Sequence, residues 1–315
     1  FIFSHLIIWT LVPSLTNKNL PLDTIESIAW GSNLDWGFDK HPPMSAFFSE
    51  IFFQIFGPND WAFYLMSQLF VITSFYIVFK LAKEILRDNK LSLISVLLLE
   101  SIYFYNFTTP EFNVNVCQLP FWSLVVYYCW KIYEKKEIQF KDCFLIGLFA
   151  AIGFLSKYLF IYLLISLVLL FIYLILIEKR KKFDFKYLII LEVFIVLLVP
   201  HLIWLFHNDF VSIFYGIKRT GLETSTFMNH AKYPIIFLLK QMILLIPFSF
   251  LIWILVKKVK FKIRLKDKRL IFLIFINLLP LTLILITSII TGSKIRTMWM
   301  TPFYLYFGLL FVYLF

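Results

Sequence analysis

The sequence predicts an all-α integral membrane protein with about ten transmembrane helices and a long first outer loop carrying interfacial helices. Of its 315 residues 61% are hydrophobic and only 16% charged, and the mean hydropathy is +0.83. Apolar runs of helical length recur from end to end, and the basic residues gather in short clusters between them. Thirty-nine Phe, sixteen Tyr and nine Trp against nine Gly exclude a disordered, collagenous or repeat chain, since so much apolar surface must be buried or face lipid. The formal charge of +11 does not point to nucleic acid, because the cations form no single basic face interleaved with aromatics.

The expected spans run from about 1 to 16, 61 to 82, 91 to 105, 113 to 130, 143 to 155, 158 to 177, 187 to 206, 234 to 256, 270 to 290 and 298 to 315. Between them lie basic clusters at Lys80 to Lys90, Lys131 to Lys141, Lys179 to Lys186 and Lys257 to Arg269, which the positive-inside rule assigns to the cytosol. The two sides then carry +12 inside against −1 outside. A full crossing by 44 to 56 would reverse every later loop, so that stretch is expected to lie along the interface. One membrane domain over 1–315 is expected, with 17–58 as its first outer loop. The chain opens at Phe1 and closes at Phe315 inside an apolar run, so both ends read as cut from something longer.

Cys117, Cys129 and Cys143 show no CxxC or Cys/His ligand spacing and read as structural thiols. Asn106-Phe107-Thr108 fits a glycosylation triplet of the kind that arises by chance.

Polar chemistry concentrates on the outer side. Asp23 and Glu26 share one face of an amphipathic helix beginning near Leu22, where acids also simply suit a helix N-terminus. Asp35, Asp39, Lys40 and His41 precede Pro42-Pro43, a helix start, and alone would read as a solvated loop. Glu111 follows Pro110 in a short turn, where an acid also suits an N-cap position. Lys157 interrupts an apolar stretch, and Lys294 and Arg296 precede Trp299; either cation can snorkel to headgroups. Charges near membrane depth are nevertheless functional candidates, and Glu100 in the third span joins them.

The order of these segments carries a resemblance. The Asp23/Glu26 helix, Trp-Gly and Lys-His-Pro-Pro, then Thr-Pro-Glu, then Ser-Lys-Tyr, then Pro200-His201-Leu202-Ile203-Trp204 with Asn208-Asp209-Phe210, then Arg296, together resemble polyprenyl-phosphate-sugar-dependent glycosyltransferases. They are similar to the bacterial branch of the dolichyl-phosphate-mannose-protein mannosyltransferase superfamily, which includes aminoarabinose lipid A transferases and rhizobial galacturonosyltransferases. The resemblance implies a GT-C fold and transfer of a sugar from a polyprenyl-phosphate donor, on the periplasmic face of a bacterial inner membrane, to a lipid or cell-envelope glycan. It implies Asp23 as general base, with Glu26 assisting. Glu111 stands where the family usually has Asp. Lys40 or His41, Lys157 and Arg296 are placed near the donor phosphate, and His201, His207 and Asp39 are possible polar support.

The chemistry suits those residue types. A departing polyprenyl phosphate gains negative charge that fixed Lys and Arg stabilise better near the interface than in water. The attacking hydroxyl must lose a proton, which a partly desolvated carboxylate can take. The resemblance implies inversion by direct displacement. No cofactor is implied with certainty; a divalent metal on Asp23, Glu111 and His41 stays open, with no HExxH-like motif to mark it. The competing readings are a secondary transporter or lipid flippase, which would hold its ionisable groups at mid-membrane on broken helices, and a non-catalytic scaffold subunit.

Overall fold

A computed structural model describes residues 1–135, 137–179, 182–222, 226–257 and 267–315. Part of the fourth basic cluster, 258–266, and positions 136, 180, 181 and 223–225 therefore lie outside the described residues. Every expected apolar run is helical, and among the described residues no strand occurs. A chain out of contact with water must satisfy its backbone within each segment, which leaves helices as the economical solution.

In chain order the helices are α1 Ile2–Thr16, α2 Leu22–Gly31, α3 Met44–Phe56, α4 Asp60–Leu86, α5 Asn89–Leu97, α6 Val114–Cys117, α7 Leu119–Glu134, α8 Phe140–Ser156, α9 Ile161–Ile172, α10 Tyr187–His207, α11 Val211–Thr220, α12 Asn229–Leu244, α13 Ile246–Val256, α14 Lys268–Thr291 and α15 Phe307–Leu314. The two interfacial helices expected in the first outer loop form as α2 and α3, the second directly after Pro42-Pro43.

Several runs are broken where the sequence suggested one span. The third ends its α-helix at Leu97 and continues as 3₁₀ turns. The fourth divides at Gln118, before Pro120, and the eighth bends by 54° between α12 and α13, before Pro247. The last bends by 52° between a 3₁₀ segment holding Pro302 and α15. Each proline removes an N–H that a continuous helix would need. Among the described residues four segments are long and apolar enough to cross a membrane unaided: Asp60–Leu86, Tyr158–Ile177, Tyr187–His207 and Lys268–Thr291. The two bent pairs bring this to six, and the other runs are shorter or interrupted.

Burial separates centre from periphery. The apolar stretch of α4 is 67% buried within the protein, whereas that of α10 is only 17% buried and offers its Ile, Leu and Val side chains outward, as a lipid-facing helix does. α4 packs on α1, α5 and α7, while α8 lies between α7 and α10. Close approach requires small residues: a Cβ on Gly308 of α15 would sit 1.9 Å from the carbonyl oxygen of Ser95 in α5.

The loops sort to two ends. Lys131 pairs with Glu84, Lys186 Nζ donates to Ile138 O at 3.0 Å, Arg269 Nη1 to Ile85 O at 2.8 Å and Tyr133 Oη to Lys268 O at 2.7 Å. The loops expected in the cytosol thus meet one another. The loops expected outside meet at the opposite end and build the site.

Candidate functional site

The start of α2 is held by a distant carboxylate. Pro21 precedes the helix and supplies no side-chain cap. Glu111 Oε1 instead accepts the backbone N–H of Asp23 at 3.2 Å, and its Oε2 accepts Asn113 Nδ2 at 3.4 Å. Thr24 Oγ1 donates to Phe112 O at 3.1 Å, and the Ser27 and Ser49 hydroxyls lie 2.8 Å apart, tying α2 to α3. The positive end of the helix therefore faces two carboxylates, Asp23 and Glu111. Burial pushes the Glu111 carboxyl up, the neighbouring Asp23 adds to this, and the Asp23 N–H and Asn113 offset part of it.

Lys157 closes α8 on an extended residue and is buried. Its ammonium donates to Asn115 Oδ1 and lies 5.3 Å from the centre of the Trp299 ring. Burial pulls its pKa down to about 7, and the negative charge of Asp23 pulls the other way. Arg296 lines a cavity of about 430 Å³ together with Glu111, Asn113, Asn115, Lys240 and Lys294. A second cavity of about 450 Å³ is lined by Trp9, Pro13, Asn17, Tyr103 and Phe107, and again by Glu111. Asp23, Glu111, Lys157 and Arg296 thus converge, with Asn115 linking Lys157 to the cation-lined cavity and Glu111 bordering both cavities.

The other expected residues take distinct positions. Glu26 forms an ion pair with Lys40, whose pKa rises chiefly through that hydrogen bond. His41 is driven down to about 3 by burial and by the charges of Lys157, Lys40 and Arg219, so it is neutral and offers one N–H and one lone pair. Asp39 is exposed beside Lys40. His201 is a buried strut: Nδ1 donates to Trp36 O at 2.5 Å, and Nε2 lies 2.8 Å from Tyr158 Oη, which is 2.7 Å from Ser212 Oγ on α11. Trp204 Nε1 donates to Asp35 Oδ2 at 2.7 Å, and the Trp204 ring covers Gly37 so closely that a Cβ there would lie 2.3 Å from it. His207 is exposed at the end of α10, apart from this cluster.

Sequence reading singled out neither Arg219, Lys240 nor Asn115. Lys240 had a visible signal, a cation inside the apolar run 234–256. Arg219 and Asn115 had none, because only packing brings α11 and α6 to the site. Among the described residues no group of three His, Cys, Asp or Glu side chains is arranged to hold a metal ion.

The family model for dolichyl-phosphate-mannose-protein mannosyltransferases matches residues 40–204. The chain belongs to that family. The matched mannosyltransferase-family stretch holds Lys40, His41, Glu111, Lys157 and His201, while Asp23 and Arg296 flank it. The family fold is shared with solved structures of ArnT from Cupriavidus metallidurans. The form bound to undecaprenyl phosphate is 13% identical with a TM-score of 0.67, and the apo form 12% identical with a TM-score of 0.68. Each likeness covers 99% of this chain and 58% of that one, so the chain spans a little over half the length of those proteins. At that identity the likeness establishes the architecture, a GT-C glycosyltransferase fold. No curated protein sequence matches the chain.

Proposed function

We propose that this family member transfers a sugar from a polyprenyl-phosphate donor to a hydroxyl of a lipid or cell-envelope glycan, at the periplasmic face of a bacterial inner membrane. The observation that carries the reading is that Glu111, which borders both cavities, holds the Asp23 N–H, while Lys157 is tied through Asn115 to the cavity that Arg296 lines. The acceptor hydroxyl gives its proton to the Asp23 carboxylate as its oxygen attacks the anomeric carbon. The bond from that carbon to the phosphate oxygen breaks, and polyprenyl phosphate leaves with the electron pair. Lys157 and Arg296 meet the growing charge, with Lys240, Lys294 and Arg219 adding to the positive field. Lys40 also faces the phosphate side, with Glu26 holding its ammonium. A single displacement inverts the anomeric centre. Glu111, already bound by two donors, orients the start of α2 rather than attacking.

The presence of undecaprenyl phosphate in a structure of the same fold supports the donor class. A transporter would keep its ionisable groups deep between broken helices, whereas these gather at one end of the bundle. The test is mass spectrometry of lipids and envelope glycans from cells carrying the intact gene, no gene, or Asp23→Asn. The expected result is one sugar adduct lost in both altered strains at equal protein level; an unchanged adduct in the Asn strain overturns the proposal.

A further inference from the structure

A line of buried polar side chains runs through the bundle from α1 to the turn that carries Glu111. His5 on α1 is 3% exposed, and Gln68 on α4 and Thr109 are fully buried. His5 Nδ1 lies 2.5 Å from Glu100 Oε1, and Nε2 lies 3.1 Å from Gln68 Oε1. Gln68 Nε2 donates to Thr109 Oγ1 at 3.2 Å, and that hydroxyl donates to Asn106 O at 2.9 Å. Ser67 Oγ donates to Thr109 O at 2.5 Å, and Asn106 Nδ2 to Glu100 O at 2.6 Å, closing the network on itself. Asn106, the residue of the glycosylation triplet, is thus buried and engaged.

The protons fix the direction of the line. Thr109 has one hydroxyl hydrogen and spends it on the Asn106 carbonyl, so it accepts from the Gln68 amide. The Gln68 oxygen must then face His5, and His5 Nε2 must carry a hydrogen. The other ring nitrogen, His5 Nδ1, faces the Glu100 carboxylate. Such a buried network is costly unless every member is satisfied, and helix packing alone would be served by apolar side chains. Its outcome is that Thr109 is held by both hydroxyl and carbonyl. Pro110, with its fixed φ, passes that constraint to Glu111.

We propose that His5 is a positioning residue: through Gln68 it fixes Thr109 and so aims Glu111 at the N-terminus of α2, between the two cavities. The proposal rests on the reading of Glu111 as part of the transfer site. Two substitutions separate the ring nitrogens. Gln at position 5 reproduces the Nε2–H toward Gln68, whereas Asn reaches only toward Glu100. Hydrogen exchange of a peptide covering 106–113 in nanodiscs is measured alongside transfer kinetics. His5→Gln is expected to keep exchange and kcat within about threefold of wild type, whereas His5→Asn speeds exchange and lowers kcat by about tenfold or more, with KM little changed. Thr109→Val, which cuts the line at its far end and leaves His5 with Glu100, should speed exchange like the Asn variant. Equal behaviour of the Gln and Asn variants, or wild-type exchange in Thr109→Val, overturns the proposal. Exchange needs no substrate, so a protein that transfers no sugar would defeat the transferase reading while exchange still decides the positioning claim.

Discussion

Glu111 accepts the backbone N–H of Asp23 at 3.2 Å across 88 residues of sequence, so one candidate carboxylate caps the helix that carries the other. The cap predicts a split between variants. Glu111→Gln keeps an oxygen acceptor but removes charge, whereas Glu111→Ala leaves the Asp23 N–H orphaned. The Ala variant should lose about 1 kcal/mol of stability, the usual value of an N-terminal cap, and the Gln variant a few tenths. Both should lower transfer, Ala by about tenfold or more through the displaced Asp23. Thermal unfolding in detergent together with initial rates checks the pair; equal stability of the two variants would refute the cap.

Lys157 imposes a pH dependence whose sign follows from its surroundings. Burial holds its pKa near 7, far below the ordinary lysine value, so the empty site loses this charge as pH rises through 7. An arriving phosphate stabilises the ammonium and raises that pKa, so binding above pH 7 takes up a proton. Affinity for undecaprenyl phosphate should therefore fall between about pH 7 and 9, and Lys157→Arg, charged throughout, should flatten the fall. Calorimetric titration in two buffers of different ionisation enthalpy reads the proton uptake directly.

His41 is expected to behave oppositely to a phosphate-binding cation. Its folded pKa of about 3 lies below the ordinary 6.5, so between those values the unfolded chain binds more protons than the folded one. The stability linked to this group is complete above pH 6.5 and is lost as pH falls toward 3. His41→Gln should make unfolding less pH-dependent over that window, and its transfer activity should stay within about threefold of wild type at pH 7. Chemical denaturation at several pH values in the two proteins decides it.

Much of the fold was legible because membrane helices must be apolar and internally hydrogen-bonded, which writes each one as a run of residues. The breaks at Gln118 and Leu245 were less so: Pro120 and Pro247 are visible, but how far a proline bends a helix depends on what packs against it. Glu111, Lys157 and Arg296 were legible as charges at the ends of apolar runs, and Asp23 as an acid on an amphipathic helix of the first outer loop. His5 carried the same signal as Lys240, a polar side chain inside an apolar run, but its role was not legible, since its partners Gln68 and Glu100 lie 63 and 95 residues away. The candidate metal ligand His41 shows the same limit, for its character is set first by burial and then by the charges of Lys157, Lys40 and Arg219, two of them brought to it by α8 and α11.

The Trp36-Gly37 pair predicts the last outcome. A Cβ at position 37 would lie 2.3 Å from the Trp204 ring, a contact that only a shift of that side chain or of the backbone on either side relieves. Gly37→Ala must therefore push Trp204 away, weakening its hydrogen bond to Asp35 and straining the Trp36 carbonyl bond to His201. Those two bonds fasten the first loop to α10, so the loop carrying Lys40 and His41 should loosen as a unit. A loss of about 1 to 3 kcal/mol is expected, the usual cost of overpacking a tight contact. Trp204→Leu removes the clash partner, so the double variant should recover part of that loss relative to the sum of the single changes. Thermal unfolding of the four proteins closes the cycle, and strict additivity would show that Gly37 and Trp204 do not constrain each other.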